Sequence, residues 1–191
     1  MRVFLAVPLT QSLLEQLEQE AARLRSELPD VRWVRPGTLH LTLVFLGEVA
    51  EADVEVLRSL AESECRGVAV GHVAIAGRGC FPERGRVRVL WVGVEDVQGT
   101  LAALRQVLLD CVHRLGLPQP DGTFHPHLTL GRARRALPRA MVRRALEGGG
   151  ALDLGDMPVN ECVLFRSTLT SGGARHEVLQ RFPLGEASPC P

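Results

Sequence analysis

One tetrapeptide, His-Leu-Thr-Leu, occurs twice in the chain, and its repetition constrains the fold more than any other feature. The two copies begin at His40 and His127, so about half of the 191-residue chain separates them. Each copy follows a helical pattern and a turn, and each begins a segment with the apolar alternation of a β-strand. A duplication at this spacing predicts two similar lobes that carry equivalent strands and equivalent side chains.

Alternation along the first copy divides its side chains between a polar face and an apolar face. Successive residues of a strand point to opposite sides, so His40 and Thr42 share one face and the leucines share the other. The leucines are candidates for the core of a lobe, which leaves the polar face for a cleft between the lobes. By the same parity Phe45 falls on the leucine face, and we expect it to pack in the core.

The second copy repeats this arrangement, with His127 and Thr129 on the polar face. A single His-x-Thr motif is more often a satisfied polar pair on a half-buried strand, but the second copy favours a functional site. Two imidazoles can act as general acid and general base near neutral pH, and two hydroxyls can hold an anion between them. Arg132 suits phosphate oxygens, although ideal parity places it on the leucine face unless a bend at Gly131 redirects it.

The rest of the chain mixes helical and strand patterns without a strict strand–helix–strand rhythm. Apolar periodicity predicts helices at residues 10–28, 51–64, 97–115 and 138–147. Strand patterns fall at residues 2–7, 39–46, 68–76, 86–94, 126–131, 158–167 and 176–182. This mixture predicts an α+β fold with antiparallel sheet, and the length fits one domain over residues 1–191.

Charge and cysteine content exclude several classes of protein. The 22 basic and 22 acidic residues give zero net charge, which argues against a polybasic protein that holds long nucleic acid by charge alone. Every basic residue is arginine, so a lysine nucleophile or Schiff base is excluded. Five widely spaced cysteines without a CxxC motif argue against a disulfide scaffold or zinc cluster and favour the cytoplasm. We expect no association with a membrane, since no apolar run is long enough to span one. We also expect the protein to be a monomer.

The two motifs and their surroundings resemble the two-histidine (2H) phosphoesterase superfamily. They resemble more closely its RNA 2′,3′-cyclic phosphodiesterases, which are also called 2′-5′ RNA ligases. The similarity extends over about residues 2–184. Its main segments are Trp33–Pro36, His40–Gly47, Arg86–Val94, Phe124–Arg132 and Glu177–Leu184.

The resemblance implies a bilobal fold in which two antiparallel sheets, related by a pseudo-two-fold axis, surround a central cleft, with helices outside. The implied reaction is hydrolysis of an RNA 2′,3′-cyclic phosphate end, or of a small cyclic nucleotide, to a 2′-phosphomonoester. Reversible 2′-5′ RNA ligation is the related reaction, and no metal or other cofactor is implied. In this family pattern His40 is the proton donor to the departing 3′ oxygen and His127 is the proton acceptor that activates water. Thr42, Thr129 and Arg132 bind the phosphate.

Residues outside the motifs add candidates for the cleft and one departure from the family pattern. Trp33 and Arg35, which directly precede the first motif, are candidates for lining the cleft, with the core as an equal alternative for Trp33. Six arginines lie within residues 132–144, and a basic face there would guide an RNA backbone, although a solvated helix face is an equal alternative. The family often has tyrosine where this chain has His176, and the chain contains no tyrosine.

Two other functions fit the same residues. A non-catalytic protein that binds RNA ends or nucleotides would use the cleft without proton transfer. A metal-dependent hydrolase would use His125 and His127, which share one strand face at a spacing that can ligate zinc. That site would need a third ligand from His40 or from a carboxylate.

Overall fold

The computed structural model describes residues 1–119, 123–170 and 173–185. In this part of the chain four α-helices surround nine strands in two antiparallel sheets, which confirms the predicted α+β class and bilobal fold. None of the described helices is long and apolar enough to cross a membrane.

The order of elements follows the sequence pattern closely. The helices are α1 (Gln11–Glu27), α2 (Glu51–Cys65), α3 (Thr100–Arg114) and α4 (Arg139–Glu147). The strands are β1 (Arg2–Pro8), β2 (Val31–Trp33), β3 (His40–Glu48), β4 (Gly71–Phe81), β5 (Val87–Glu95), β6 (His127–Leu137), β7 (Asp153–Val159), β8 (Glu161–Thr170) and β9 (Gly173–Pro183). A 3₁₀ turn at Pro36–Thr38 leads into β3. The sequence pattern does not predict β2 or β7.

The strand orders of the two sheets explain why the motif repeats. One sheet has the order β3-β1-β8-β9, and the other has the order β2-β6-β5-β4-β7. Apart from the short strand β2, the order β3-β1-β8-β9 corresponds to β6-β5-β4-β7. The two motif strands, β3 and β6, therefore occupy equivalent places in the two sheets. This correspondence is the pseudo-two-fold relation between the lobes.

Apolar helix faces cover the outer sides of the sheets. Helices α2 and α3 pack on the four-stranded sheet, and α1 packs on strands β2 and β7 of the other. Helix α1 begins where the Thr10 hydroxyl accepts a hydrogen bond from the Leu13 amide, which satisfies a free N–H of the first turn. The motif leucines Leu41 and Leu128 are fully buried, and each contributes about 1.5–3 kcal/mol of burial free energy. The polar faces of β3 and β6 are thereby turned away from the two cores.

A buried ion pair joins α1 to strand β4 of the five-stranded sheet. The Glu20 carboxylate accepts hydrogen bonds from Arg78 Nε at 2.7 Å and from Arg23 Nη2 at 2.7 Å. Arg78 also donates to the Gly150 carbonyl oxygen at 2.6 Å. Burial alone would raise the pKa of Glu20, but the hydrogen bonds from Arg78 and Arg23 outweigh it, so that pKa is lowered. The pair fixes the outer helix and the turn after α4 against β4.

The cysteines of the described residues are free thiols. Cys65, Cys111 and Cys162 are buried, and Cys80 is partly exposed, while Cys190 lies outside the described residues. Burial raises the pKa of Cys65 to about 12, so this thiol stays protonated and unreactive at neutral pH.

Candidate active site

The first motif fixes the His40 imidazole at the start of β3. Its Nδ1 lies 2.7 Å from the Thr38 carbonyl oxygen, in the turn that precedes the strand. A carbonyl oxygen only accepts hydrogen bonds, so Nδ1 carries the proton and donates it. Nε2 therefore keeps its lone pair in the neutral ring. The ring packs on Phe4, with ring centroids 4.6 Å apart.

The second motif repeats this geometry in the other lobe. His127 Nδ1 lies 2.7 Å from the His125 carbonyl oxygen, so the same tautomer is selected and Nε2 again keeps its lone pair. Phe81 meets the ring edge-on at 5.1 Å, and Trp91 lies 6.3 Å away. Both motif histidines are thus held by a backbone carbonyl two residues earlier and by neighbouring aromatic rings.

Burial keeps both motif histidines neutral in the free protein. It lowers the pKa of His40 to about 4, against the opposing hydrogen bond to the Thr38 carbonyl, and His176 lowers it further. Burial also lowers the pKa of His127, against its hydrogen bond to the His125 carbonyl, and Arg132 acts in the same direction as burial. A bound anion favours the charged form of a nearby imidazole. Proton uptake by either histidine is therefore coupled to the arrival of an anion in the cleft.

Each motif strand contains a β-bulge at the same position. The register between β1 and β3 shifts by one residue between Thr42 and Val44, so Leu43 is an extra residue. The register between β5 and β6 shifts at the equivalent place, so Leu130 is extra. A bulge inserts one residue into the alternation, and the residues after it change sides. The alternation of side chains between the two faces of the strand, counted from His40 or His127, therefore no longer holds after the second leucine of each motif.

Phe45 and Arg132 are the equivalent residues that this shift brings into the cleft. Each lies two positions after its bulged leucine, and both line the cavity with the motif histidines. Phe45 is 43% exposed, so the prediction that it packs in the core is wrong, because the bulge reverses the parity on which that prediction rested. The Arg2 guanidinium lies 4.8 Å over the Phe45 ring. Arg132 lies on the cleft side for the same reason, and the bulge at Leu130 accounts for this without a bend at Gly131.

A cavity of about 640 Å³ lies between the two sheets and gathers the predicted site residues. His40, Thr42, His127 and Thr129 all line it, together with Arg132. The other arginines that line the cavity are Arg2, Arg32 and Arg35. None of the described residues that line it is Asp or Glu. The cleft of a chain with zero net charge is therefore locally positive, which suits an anionic ligand.

Other predicted contributors divide into those that line the cavity and those that do not. Trp33 and Arg35, the two candidates before the first motif, both line it, and Trp33 also packs against the hydrophobic core. Of the arginines between residues 132 and 144, Arg132 alone lines it. Arg135 instead pairs with Asp30 at 2.7 Å. Of the two alternatives for this stretch, the structure favours the solvated face, because intramolecular pairing and the course of β6 into α4 keep the arginines after Arg132 out of the cavity.

A third imidazole, that of His176 on β9, stands beside His40. The two rings meet edge-on with centroids 5.1 Å apart, and His176 also meets Phe4 edge-on at 4.9 Å. Burial lowers the pKa of His176. Sequence reasoning identifies this residue only as a departure from a family pattern, because no local motif surrounds it.

The zinc alternative lacks a ligand set in the structure. It needs a third ligand beside His125 and His127. Among the described residues, no three or more His, Cys, Asp and Glu side chains stand close enough together to hold a metal ion. His125 is exposed and lies outside the residues that line the cavity.

Comparison with known proteins agrees with this geometry. Residues 13–169 match the family model of the 2′-5′ RNA ligase superfamily. An RNA 2′,3′-cyclic phosphodiesterase of Methanothermobacter thermautotrophicus is 31% identical over 183 residues, covering 96% of this chain and 98% of the relative. The structure of TT0787 from Thermus thermophilus aligns with a TM-score of 0.84 at 30% identity and covers 98% of this chain and 100% of that one.

A further solved structure, E. coli LigT complexed with 3′-AMP, aligns with a TM-score of 0.73 at 27% identity, covering 96% of this chain and 97% of that one. The matched region of the family model includes both His-Leu-Thr-Leu motifs. The chain belongs to the 2′-5′ RNA ligase superfamily.

Proposed function

We propose that this protein is an RNA 2′,3′-cyclic phosphodiesterase, which opens the cyclic phosphate at an RNA end to a 2′-phosphomonoester. The observation that carries the proposal is the pair of His-Thr motifs that line one cavity from two lobes, with each imidazole Nδ1 2.7 Å from a backbone carbonyl oxygen. The name of the Methanothermobacter relative supports the same substrate. A small 2′,3′-cyclic nucleotide presents the same reacting group and is the simplest substrate.

The two threonines and Arg132 bind the phosphate in this proposal. Thr42 and Thr129 lie two residues after the histidines and line the same cavity, so their hydroxyls can donate to the non-bridging oxygens. The Arg132 guanidinium adds a charged donor. Since these groups come from both lobes, they hold phosphorus between the two imidazoles. In-line displacement needs this placement, because base and acid act on opposite sides of phosphorus.

The two histidines transfer protons during the displacement. His127 Nε2 takes a proton from water as the water oxygen forms its bond to phosphorus. The bond between phosphorus and the 3′ oxygen breaks, and protonated His40 gives its Nε2 proton to that oxygen. Each transfer contributes about 10²–10⁴ in rate. An RNA 5′-hydroxyl in place of water would give a 2′-5′ linkage by the same displacement, which is the ligation reaction.

The low pKa of His40 is compatible with its role as acid only in the substrate complex. Neutral His40 predominates in the free protein, because its pKa is about 4. The anionic cyclic phosphate raises that pKa when it binds. Substrate binding therefore supplies the charge that lets His40 hold its proton. The role of His127 as the base rests on the resemblance of its motif to the family pattern.

The remaining cavity residues favour RNA as the partner. The exposed Phe45 ring offers a face on which a nucleobase can stack. Arg2, Arg32 and Arg35 place positive charge along the cavity, where the phosphates of a longer strand can bind. Because each lobe supplies half of the site, we propose that residues 1–191 act as one bilobal domain and that a monomer is sufficient. The free thiols and the RNA substrate favour the cytoplasm.

The decisive experiment incubates the protein with an oligoribonucleotide that ends in a 2′,3′-cyclic phosphate. The expected product is a 2′-phosphomonoester, assigned by ³¹P NMR. His127→Ala serves as the variant without the base, and an oligonucleotide with an ordinary 3′-phosphate serves as the non-reacting substrate. A protein that binds the cyclic end but never opens it would instead be the non-catalytic binder. A 3′-phosphate product would contradict the proposed direction of opening.

A further inference from the structure

The His40 side of the cavity holds a second imidazole, and among the described residues that line the cavity the His127 side has none to match it. His176 lies on β9 opposite Ser167 of β8, and β9 pairs with β8 as far as Thr170. In the other lobe, β7 pairs with β4 only over Gly71–Ala76, away from the motif strand. Among the described residues that line the cavity, the histidines are therefore His40, His127 and His176. The two His-Thr pairs repeat between the lobes, whereas the third imidazole does not.

The two nitrogens of His176 have different surroundings. Nδ1 is buried and has no hydrogen-bond partner among the described residues. Nε2 is not buried in this way, and the residue lines the cavity. A buried N–H without an acceptor is rarer in proteins than an unused acceptor, so the lone pair belongs on Nδ1 and the proton on Nε2. This tautomer is the opposite of the one that backbone carbonyls impose on His40 and His127.

Charge supports the same assignment. A charged His176 would leave a buried N–H on Nδ1 without an acceptor, and burial lowers its pKa in agreement. It would also place a second cation 5.1 Å from His40 and oppose the protonation that the proposed acid needs. A neutral His176 with its N–H toward the cavity can bind an anion without opposing the protonation of His40.

We propose that His176 is a further substrate-binding residue, a neutral donor whose Nε2–H binds a phosphate oxygen on the His40 side of the cavity. The inference rests on the proposed function and adds a group to it. The three imidazoles then have different roles in the cavity. His40 and His127 present nitrogens that gain and lose protons, whereas His176 presents a proton that stays in place.

The tautomer is tested directly in the protein labelled with ¹⁵N at histidine. Long-range ¹H–¹⁵N correlation at pH 7 should show Nε2 of His176 protonated and Nδ1 bare. His40 and His127 should show the reverse pattern, and single His→Gln variants assign the rings. A proton on Nδ1 of His176, or on both of its nitrogens, would overturn the proposal. This measurement needs no turnover, so it stands even if the proposed reaction is not observed.

Binding and kinetics test the donor itself. His176→Phe keeps a ring without an N–H, and His176→Gln keeps an N–H donor without the ring. A hydrogen bond to a charged group is worth about 1.5–3 kcal/mol, so His176→Phe should weaken binding of inorganic phosphate and raise KM by about tenfold or more. His176→Gln should stay within about threefold of the wild type. Equal phosphate affinity in His176→Phe and the wild type would refute the donor role while leaving hydrolysis intact. Absence of hydrolysis in the wild type, with phosphate affinity still dependent on His176, would refute the proposed function alone.

Discussion

Replacing His40 with glutamine should make the protein more resistant to acid, although it removes a residue of the site. The buried imidazole has a pKa of about 4 in the folded protein, whereas an exposed histidine titrates near about 6.5. At pH values between these two, His40 is protonated in the unfolded chain but neutral in the folded protein. The contribution of His40 to stability is therefore fully present above its pKa in the unfolded chain. It falls as the pH drops toward the pKa of His40 in the folded protein and changes no further below that value.

The size of this effect follows from the difference between the two pKa values. Each unit is worth 1.36 kcal/mol, so a folded pKa of about 4 for His40 corresponds to about 3 kcal/mol lost on acidification. Small domains are stable by only about 5–15 kcal/mol, so the loss is a large share of the total. His127 and His176 also have lowered pKa values and add losses of the same sign. The difference between variant and wild type isolates the contribution of His40.

Urea denaturation at pH 7.5 and at pH 4 measures the effect. The free energy of unfolding of the wild type should fall between these pH values by about 3 kcal/mol more than that of His40→Gln. His72→Gln provides the matched control, because His72 is exposed and lies outside the residues that line the cavity. That control should follow the wild type at both pH values. Parallel loss of stability in the wild type and His40→Gln would show that His40 is not held neutral by burial.

Three further predictions follow from the site and its scaffold. His40→Ala and His127→Ala should each lower kcat by about 10²-fold or more. The increase in activation free energy of the double variant should be smaller than the sum of the two single increases. Near-full activity of either single variant would contradict the paired assignment. Hydrolysis should persist in excess EDTA, since the proposed groups are imidazole, hydroxyl and guanidinium; loss that zinc or manganese restores would contradict this. Arg78→Met should lower the free energy of unfolding in urea by about 3–5 kcal/mol, because it leaves the Glu20 carboxylate buried with one partner fewer; a change below about 1 kcal/mol would show that the pair is replaceable.

The fold could be read from sequence wherever apolar periodicity was strong. The helices and the strands that carry the motifs satisfy this condition. Strand β2 was missed because Val31–Trp33 is too short to show alternation. Strand β7 was missed because its sequence, with two aspartates, a glycine and a proline, is poor in β-formers. Both lie at the edges of the five-stranded sheet, where pairing with β6 and β4 decides their conformation.

The site was predictable up to the bulge in each motif strand. His40, Thr42, His127 and Thr129 follow from repetition and strand parity, and the cavity gathers all four. Phe45 was misplaced because a register shift depends on the partner strand, which local sequence does not reveal. His176 could not be found from its neighbours in sequence, because sheet pairing across the whole chain brings it to His40. The separate roles of the two histidines as acid and base remain predictions.

The equivalent bulges have a consequence for the direction in which a strand of RNA can enter. Two identical His-Thr half-sites related by a two-fold axis would accept a phosphate in either of two orientations. The bulges bring one residue from each lobe to matching places, and these residues are Phe45 on one side and Arg132 on the other. An aromatic face and a guanidinium do not substitute for each other, so rotation of the ligand by half a turn exchanges unlike surroundings. The two His-Thr motifs alone would not set an orientation. This unlike pair, together with His176 on the His40 side, gives the cleft a polarity.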